Sequence, residues 1–203
     1  MFDHLSNSWL IGIGLVLCLI LVFTFYKIQN ALSQFLHPFK KGKTYWCRIT
    51  AISDGDTLTC YRFNFRRSET KLRFAYIDAP ESTQSYGPES KRLIKKMVYR
   101  KVVRVRITDI DRYGRCVGEI YRFRRSMNEE MVKRGAAWVY EDYIKDKKHL
   151  KHMNALQSHA KKHKKGLWRG TRPIRPSDYR KMKGGVLKSM LTLNEAIIDV
   201  KEG

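Results

Sequence analysis

Acidic residues are scarce in this chain, and its first 26 residues carry almost no charge of either sign. The 203 residues hold 19 Asp and Glu against 41 Lys and Arg, a formal net charge of +22 with an isoelectric point near 10.0. Such a balance argues against cationic partners and for polyanions, with nucleic acid first and an anionic membrane surface second. Cysteine is also sparse. Cys18 lies in an apolar run, and Cys47, Cys60 and Cys116 stand singly in strand-like segments, without CxxC spacing or a neighbouring histidine pair. That pattern argues against a zinc site and against a disulfide framework, and reads the three strand cysteines as small core residues. The length suits one domain of ordinary core size plus extensions. No internal repeat is visible.

What the N-terminus has instead of charge is a run of 18 apolar or uncharged residues, Trp9 to Tyr26, with an aromatic residue at each end. About that length just spans a hydrocarbon core as a helix. The run is therefore expected to be a single-pass transmembrane anchor over residues 1–27; a cleaved export signal fits less well, since nothing basic precedes it. Lys27, Lys40, Lys41 and Lys43 follow the run. By the positive-inside rule they place the remaining chain on the cytosolic or an equivalent side, of a bacterial or a mitochondrial membrane. Residues 28–42 read as a short juxtamembrane helix and linker ended by Pro38 and Gly42, and 171–203 as a basic C-terminal extension that names no protein partner.

Between them, from residue 43 to 170, the periodicity is that of strands: KTYWCRITAI, DTLTCYRFNF and TKLRFAYI, rich in β-branched and aromatic residues. A helix is expected over GPESKRLIKKMV, with Pro88 in its first turn and Leu93, Ile94, Met97 and Val98 facing inward. Two further strands, KVVRVRITDI and RCVGEIYRF, are joined by a DRYG turn. Two helices follow: MNEEMVKRG, with Asn128 as the expected N-cap and Gly135 as its stop, and HLKHMNALQSHAKKHKKG, ending at Gly166. The order predicts an α+β fold, a small β-barrel with helices packed against it.

Chemistry concentrates where the acids are. Asp54 and Asp56 sit in the SDGDT turn, Asp78 and Glu81 in IDAPE. If the first and third strands are neighbours, Asp56 and Asp78 meet. Carboxylates without Cys or His partners make a hard oxygen site, suited to Ca²⁺ or Mg²⁺. Arg73 and Arg115 offer forked donors that match a phosphate, which leaves Glu81 free as a base. Taken singly, DGD and DRYG are ordinary turns and Arg73 an ordinary exposed strand residue. The ordered set is what carries a site.

That set, DGDT, RFAYIDAPE, YGPES, KKMV, DRYGR, the MNEEMVKRG helix and the GLW after a basic helix, resembles the staphylococcal-nuclease-like (thermonuclease) domain over roughly Lys43 to Arg169. The resemblance implies a five-stranded OB-fold barrel with about three helices, and Ca²⁺-dependent hydrolysis of DNA or RNA to 3′-phosphates with little sequence preference. It implies Asp56, Asp78 and the backbone carbonyl of Ala79 as metal ligands, Glu81 as general base, Arg73 and Arg115 as phosphate-binding arginines, and Tyr113 and Tyr143 beside the nucleotide. Where the family's founding member has Thr, this chain has Ala79. The alternative is a membrane-tethered nucleic-acid-binding module without catalysis. Its mark would be loss of Asp56, Arg73, Asp78, Glu81 or Arg115, and none is lost.

Overall fold

The computed structural model describes residues 3–36, 39–63 and 69–185, apart from the side chains of 3–12 and 30–36. The chain divides into two units, 1–38 and 39–203. The first consists of one helix, α1 (Asp3–Leu36). It runs without a break through the point where a separate juxtamembrane helix was expected, because no proline or glycine interrupts the sequence between Gly14 and Leu36.

The anchor expectation is corrected here. Among the described residues, no helix is long and apolar enough to cross a membrane. The described apolar side chains run from Ile13 to Tyr26, 14 residues before Lys27. A span needs about 20. The start of the expected run, 9–12, lies among side chains outside the description. The single-pass membrane assignment, with its sidedness and organelle, falls with it.

The second unit is built on a closed barrel. Its strands are β1 (Thr44–Ile52), β2 (Thr57–Arg62), β3 (Glu69–Phe74), a two-residue β4 (Ile77–Asp78), β5 (Val102–Ile110), β6 (Cys116–Arg122), β7 (Arg125–Ser126) and β8 (Trp138–Val139). The sheet order is β3-β2-β1-β5-β6-β7. A parallel pairing of β3 with β6, Leu72 opposite Cys116 through Phe74 opposite Gly118, closes five of these strands on themselves. Alternation does the sorting: along β5, Val103, Val105 and Ile107 are buried while Val102, Arg104 and Arg106 are exposed. Cys47, Cys60 and Cys116 are free thiols in that interior, as expected. Phe39 packs into the same core against Tyr45.

The expectation that the first and third strands are neighbours is wrong, since β2 lies between them. The acids meet by another route, described below.

Three helices cover the barrel: α2 (Gly87–Val98), α3 (Met127–Lys133) and α4 (Lys147–Lys162). In α2, Pro88 is in the first turn and Ile94 and Val98 are buried, with Leu93 and Met97 half-buried beside them. Ser126, not Asn128, caps α3, accepting a bond from the Glu129 amide. Asn128 is a buried strap instead. Its Oδ1 accepts from the Ile120 amide at 2.9 Å and its Nδ2 donates to the Ala75 carbonyl at 2.8 Å, tying the end of β3 to β6 and α3. Residues 176–185 form a further helical turn sequence. Residues 186–203, the rest of the expected C-terminal extension, lie outside the described residues.

Candidate active site

The DGD turn is placed by close packing. A Cβ on Gly55 would collide with the Ser90 hydroxyl on α2 and with the Ala79 methyl, so glycine is required there for space. Ser90 is itself fixed, donating to the Ala136 carbonyl at 2.7 Å. Asp54 folds the turn by accepting from the Asp56 amide at 3.0 Å. Asp56 is thereby delivered, buried, to the start of β2. There Thr57 lies opposite Arg73, and the Phe74 amide donates to the Asp56 carbonyl at 2.8 Å.

Arg73 then joins the acids. Its Nη1 donates to Asp56 Oδ1 at 3.0 Å and its Nη2 to Asp78 Oδ1 at 2.8 Å. Asp78 is held in β4, opposite Trp138 of β8. Just before it the backbone turns through Tyr76, at φ 68. The other oxygen of Asp56 accepts from the Ala79 amide at 2.9 Å. Burial pushes the Asp56 carboxyl up to about 7; Arg73 opposes that rise, and Asp54 and Asp78 add to it. A buried carboxylate left short of positive charge beside a second one is what a bound cation would relieve.

Glu81 begins the loop into α2, half-buried, with the Gln84 side chain accepting from its amide at 3.2 Å. Gly87 lets that loop fold tightly, since a Cβ there would overlap the Glu81 carbonyl. On its open side, Glu81 meets a residue that the sequence reading did not place in the site. Arg180 Nη1 lies 2.6 Å from Glu81 Oε1, and its Nη2 lies 3.1 Å from Asp78 Oδ2. The signal for it was faint: the second of two arginines in PIRPSDYRK, 99 positions from Glu81.

Arg115 is not bonded to these acids. Its Nε donates to Asp111 Oδ2 at 2.7 Å. It lies two residues before Val117, which pairs with Arg73, and burial alternates through Arg115, Cys116 and Val117. Arg115 therefore shares the face of Arg73, roughly 7 Å further along the strand direction. Tyr113, 68% exposed, caps the same turn, with the Arg115 guanidinium 5.5 Å from its ring centre. Tyr143, 64% exposed, packs edge-on against Tyr140, whose hydroxyl feels the charges of Asp78 and Arg180.

The donor set fits a hard divalent cation in kind: oxygens only, two carboxylates and a buried backbone at Ala79. Among the described residues no three His, Cys, Asp or Glu gather into a metal-holding group. If a cation binds here, two carboxylates would be the protein's charged share and neutral oxygens would have to complete the shell.

The chain is similar in sequence to known proteins. A model of the family described as staphylococcal nuclease homologue matches residues 71–170. A Haemophilus influenzae protein described as an uncharacterized endonuclease is 41% identical over 135 residues, 66% of this chain and 72% of its own length. An Escherichia coli protein of the same description is 37% identical over 137 residues, 67% of this chain and 85% of that one. A probable staphylococcal-like nuclease of Oryza sativa subsp. japonica is 41% identical over 113 residues, 56% of this chain but 33% of the relative. With 41% and 37% identity over 72% and 85% of two relatives' length, and a family model matching residues 71–170, this chain belongs to the staphylococcal nuclease homologue family.

Proposed function

We propose that this chain, a hydrolase acting on nucleic acid by its family, is a Ca²⁺-dependent nuclease that cuts DNA or RNA with little sequence preference and leaves 3′-phosphates. The observation that carries the reading is the Arg73 guanidinium shared between two buried carboxylates, with Glu81 three residues beyond the second. Asp56 and Asp78, with the Ala79 carbonyl, would hold the cation, which when bound supplies positive charge to a phosphoryl oxygen.

The protein's own groups do the rest. Glu81 accepts a proton from the water that attacks phosphorus, and the bond to the 5′ oxygen breaks on the opposite side. Arg73 and Arg115, on one face of the β3–β6 pair, bind the phosphate and meet the negative charge that grows in the transition state. Tyr113 and Tyr143, both exposed, offer ring faces to bases, which favours single strands. Recognition through phosphates is indifferent to sequence and weakens steeply with salt.

The test is hydrolysis by the full chain of single-stranded DNA, duplex DNA and RNA side by side, with Ca²⁺, with Mg²⁺ and with chelator, followed by end analysis of the products. Cleavage with Ca²⁺ that stops on chelation and leaves 3′-phosphates is expected. Undiminished cleavage in chelator, or 5′-phosphate products, would refute it.

A further inference from the structure

The C-terminal segment beyond the family-matched region reaches back into the site by several separate contacts. Gln84 Nε2 donates to the Ile174 carbonyl at 2.7 Å, and the Arg175 guanidinium lies 5.1 Å from the Trp138 ring centre. Tyr179 Oη donates to the Thr83 carbonyl, and its oxygen also lies 3.1 Å from Thr83 Oγ1. Gln84 and Thr83 belong to the loop that follows Glu81, and Trp138 is the strand partner of Asp78. The segment is thus docked on both walls that carry the acids, and Arg180 is the residue those contacts aim between them.

We infer that Arg180 is a third phosphate-binding arginine of this site, supplied by the C-terminal helical segment. This rests on the nuclease reading above.

Two features distinguish it from a surface salt bridge. The first is charge. Among the described residues, Asp56, Asp78 and Glu81 are bonded to two guanidinium groups, Arg73 and Arg180, while Arg115 is paired with Asp111. With Asp54 beside Asp56, the acids outnumber the guanidinium groups. A divalent cation would at most balance the surplus, and without Arg180 the loaded site would be one charge more negative and would repel a phosphodiester more strongly.

The second is geometry. The bonds to Glu81 and Asp78 use Nη1 and Nη2 of a side chain that is 42% exposed, so the guanidinium edge bearing Nε is not used by them. A guanidinium has five donors in a fixed fork, enough to keep hold of Glu81 while presenting two N–H groups to a phosphate. Were Asp78 held by a cation, Nη2 would be free to meet the substrate while Nη1 kept its bond to Glu81.

The experiment compares the full-length wild type with Arg180→Met, Arg180→Lys and Lys183→Met. Lys183→Met removes the same charge from an exposed position of the same helical segment. Cleavage of a single-stranded oligonucleotide with Ca²⁺ gives kcat and KM. Equilibrium binding of that labelled oligonucleotide in chelator gives a readout independent of turnover.

Arg180→Met should lower kcat/KM on the order of 10²-fold, the usual loss for one preorganised donor, and weaken cation-free binding several-fold. Arg180→Lys should recover part of both, and Lys183→Met should stay within about threefold of wild type. Arg180→Lys keeps charge and stem, so it carries the test even if the Met variant unfolds. Wild-type kcat/KM and binding in the Arg180 variants would overturn the inference. So would equal losses in Arg180→Met and Lys183→Met, or faster cleavage by Arg180→Met at low Ca²⁺, which would make Arg180 a blocking group. A wild type that does not cleave would instead remove the nuclease reading itself.

Discussion

Arg73 and Asp56 are joined across the β2–β3 pair at 3.0 Å, yet the guanidinium, shared with Asp78, does not offset the cost of burying the charged carboxylate. Burial therefore dominates, and the Asp56 carboxyl is pushed up to about 7 from 3.8. A folded-state pKa above the unfolded one means that ionised Asp56 opposes folding. The penalty is absent below the unfolded value, grows as pH rises through the window between the two, and is complete above the folded value.

Asp56→Asn should accordingly stabilise the cation-free protein at pH 8 by about 2 kcal/mol, less than the full linkage energy because one hydrogen-bond acceptor is lost. The gain should fade as pH drops toward 4, and Ca²⁺ should stabilise only the wild type. Thermal melts at several pH values, with and without Ca²⁺, check this; an Asn variant less stable at pH 8 in chelator contradicts it.

Glu119 titrates in the opposite sense. It is buried, and burial alone would raise it, but bonds from Arg106 and Tyr121 outweigh that and hold its carboxyl below 4.5. A depressed pKa gives stability that is present above the unfolded value and lost as pH falls through the folded one. Glu119→Gln should cost about 1.5 kcal/mol at pH 7, in the range for a hydrogen bond to a charged group, because Arg106 is half exposed and water screens the pair. The difference from wild type should close at acid pH. A gap independent of pH would show that packing, not charge, holds this pair.

Gly55→Ala should destabilise the barrel by more than about 2 kcal/mol, since the added methyl meets Ser90 and Ala79 from a turn that has no room to retreat. Chemical denaturation measures it. The double variant Gly55→Ala, Ser90→Gly should recover part of the loss; if it recovers none, the clash with Ser90 is not the cause.

Glu81→Gln should keep the fold and oligonucleotide binding but lose on the order of 10² to 10⁴ in turnover, the range for a positioned general base. Binding by fluorescence anisotropy beside single-turnover cleavage separates the two. Wild-type turnover with intact binding would remove the base role.

Much of the candidate site was legible because its parts are local. The DGDT turn, the end of β3 and the DRYG turn each carry their candidate residues within a few positions, whereas the shared face of Arg73 and Arg115 depends on the β3–β6 pairing. What was illegible was long-range or very short. Arg180 was hidden among 41 basic residues, since nothing local marks the one that turns back to Glu81. The β4–β8 pair, two residues on each strand, has no period to detect. Asn128 looked like a cap because caps are common roles for Asn, but Ser126 stands at the helix start and Asn128 was needed inside. The neighbour relation of the first and third strands failed because closing the barrel pairs β3 with β6 and leaves β2 between β1 and β3.

The central claim is that Arg73, shared by Asp56 and Asp78, belongs to a phosphodiester-cleaving centre. The measurement that meets it most directly is the single-turnover cleavage rate of a single-stranded oligonucleotide in saturating Ca²⁺, wild type against Arg73→Lys. Lysine keeps the charge but cannot bridge two acids and a phosphate with one planar fork. The account predicts cleavage by the wild type and a rate lower on the order of 10² to 10³-fold in the folded variant. A folded Arg73→Lys protein that cleaves within threefold of wild type would contradict it.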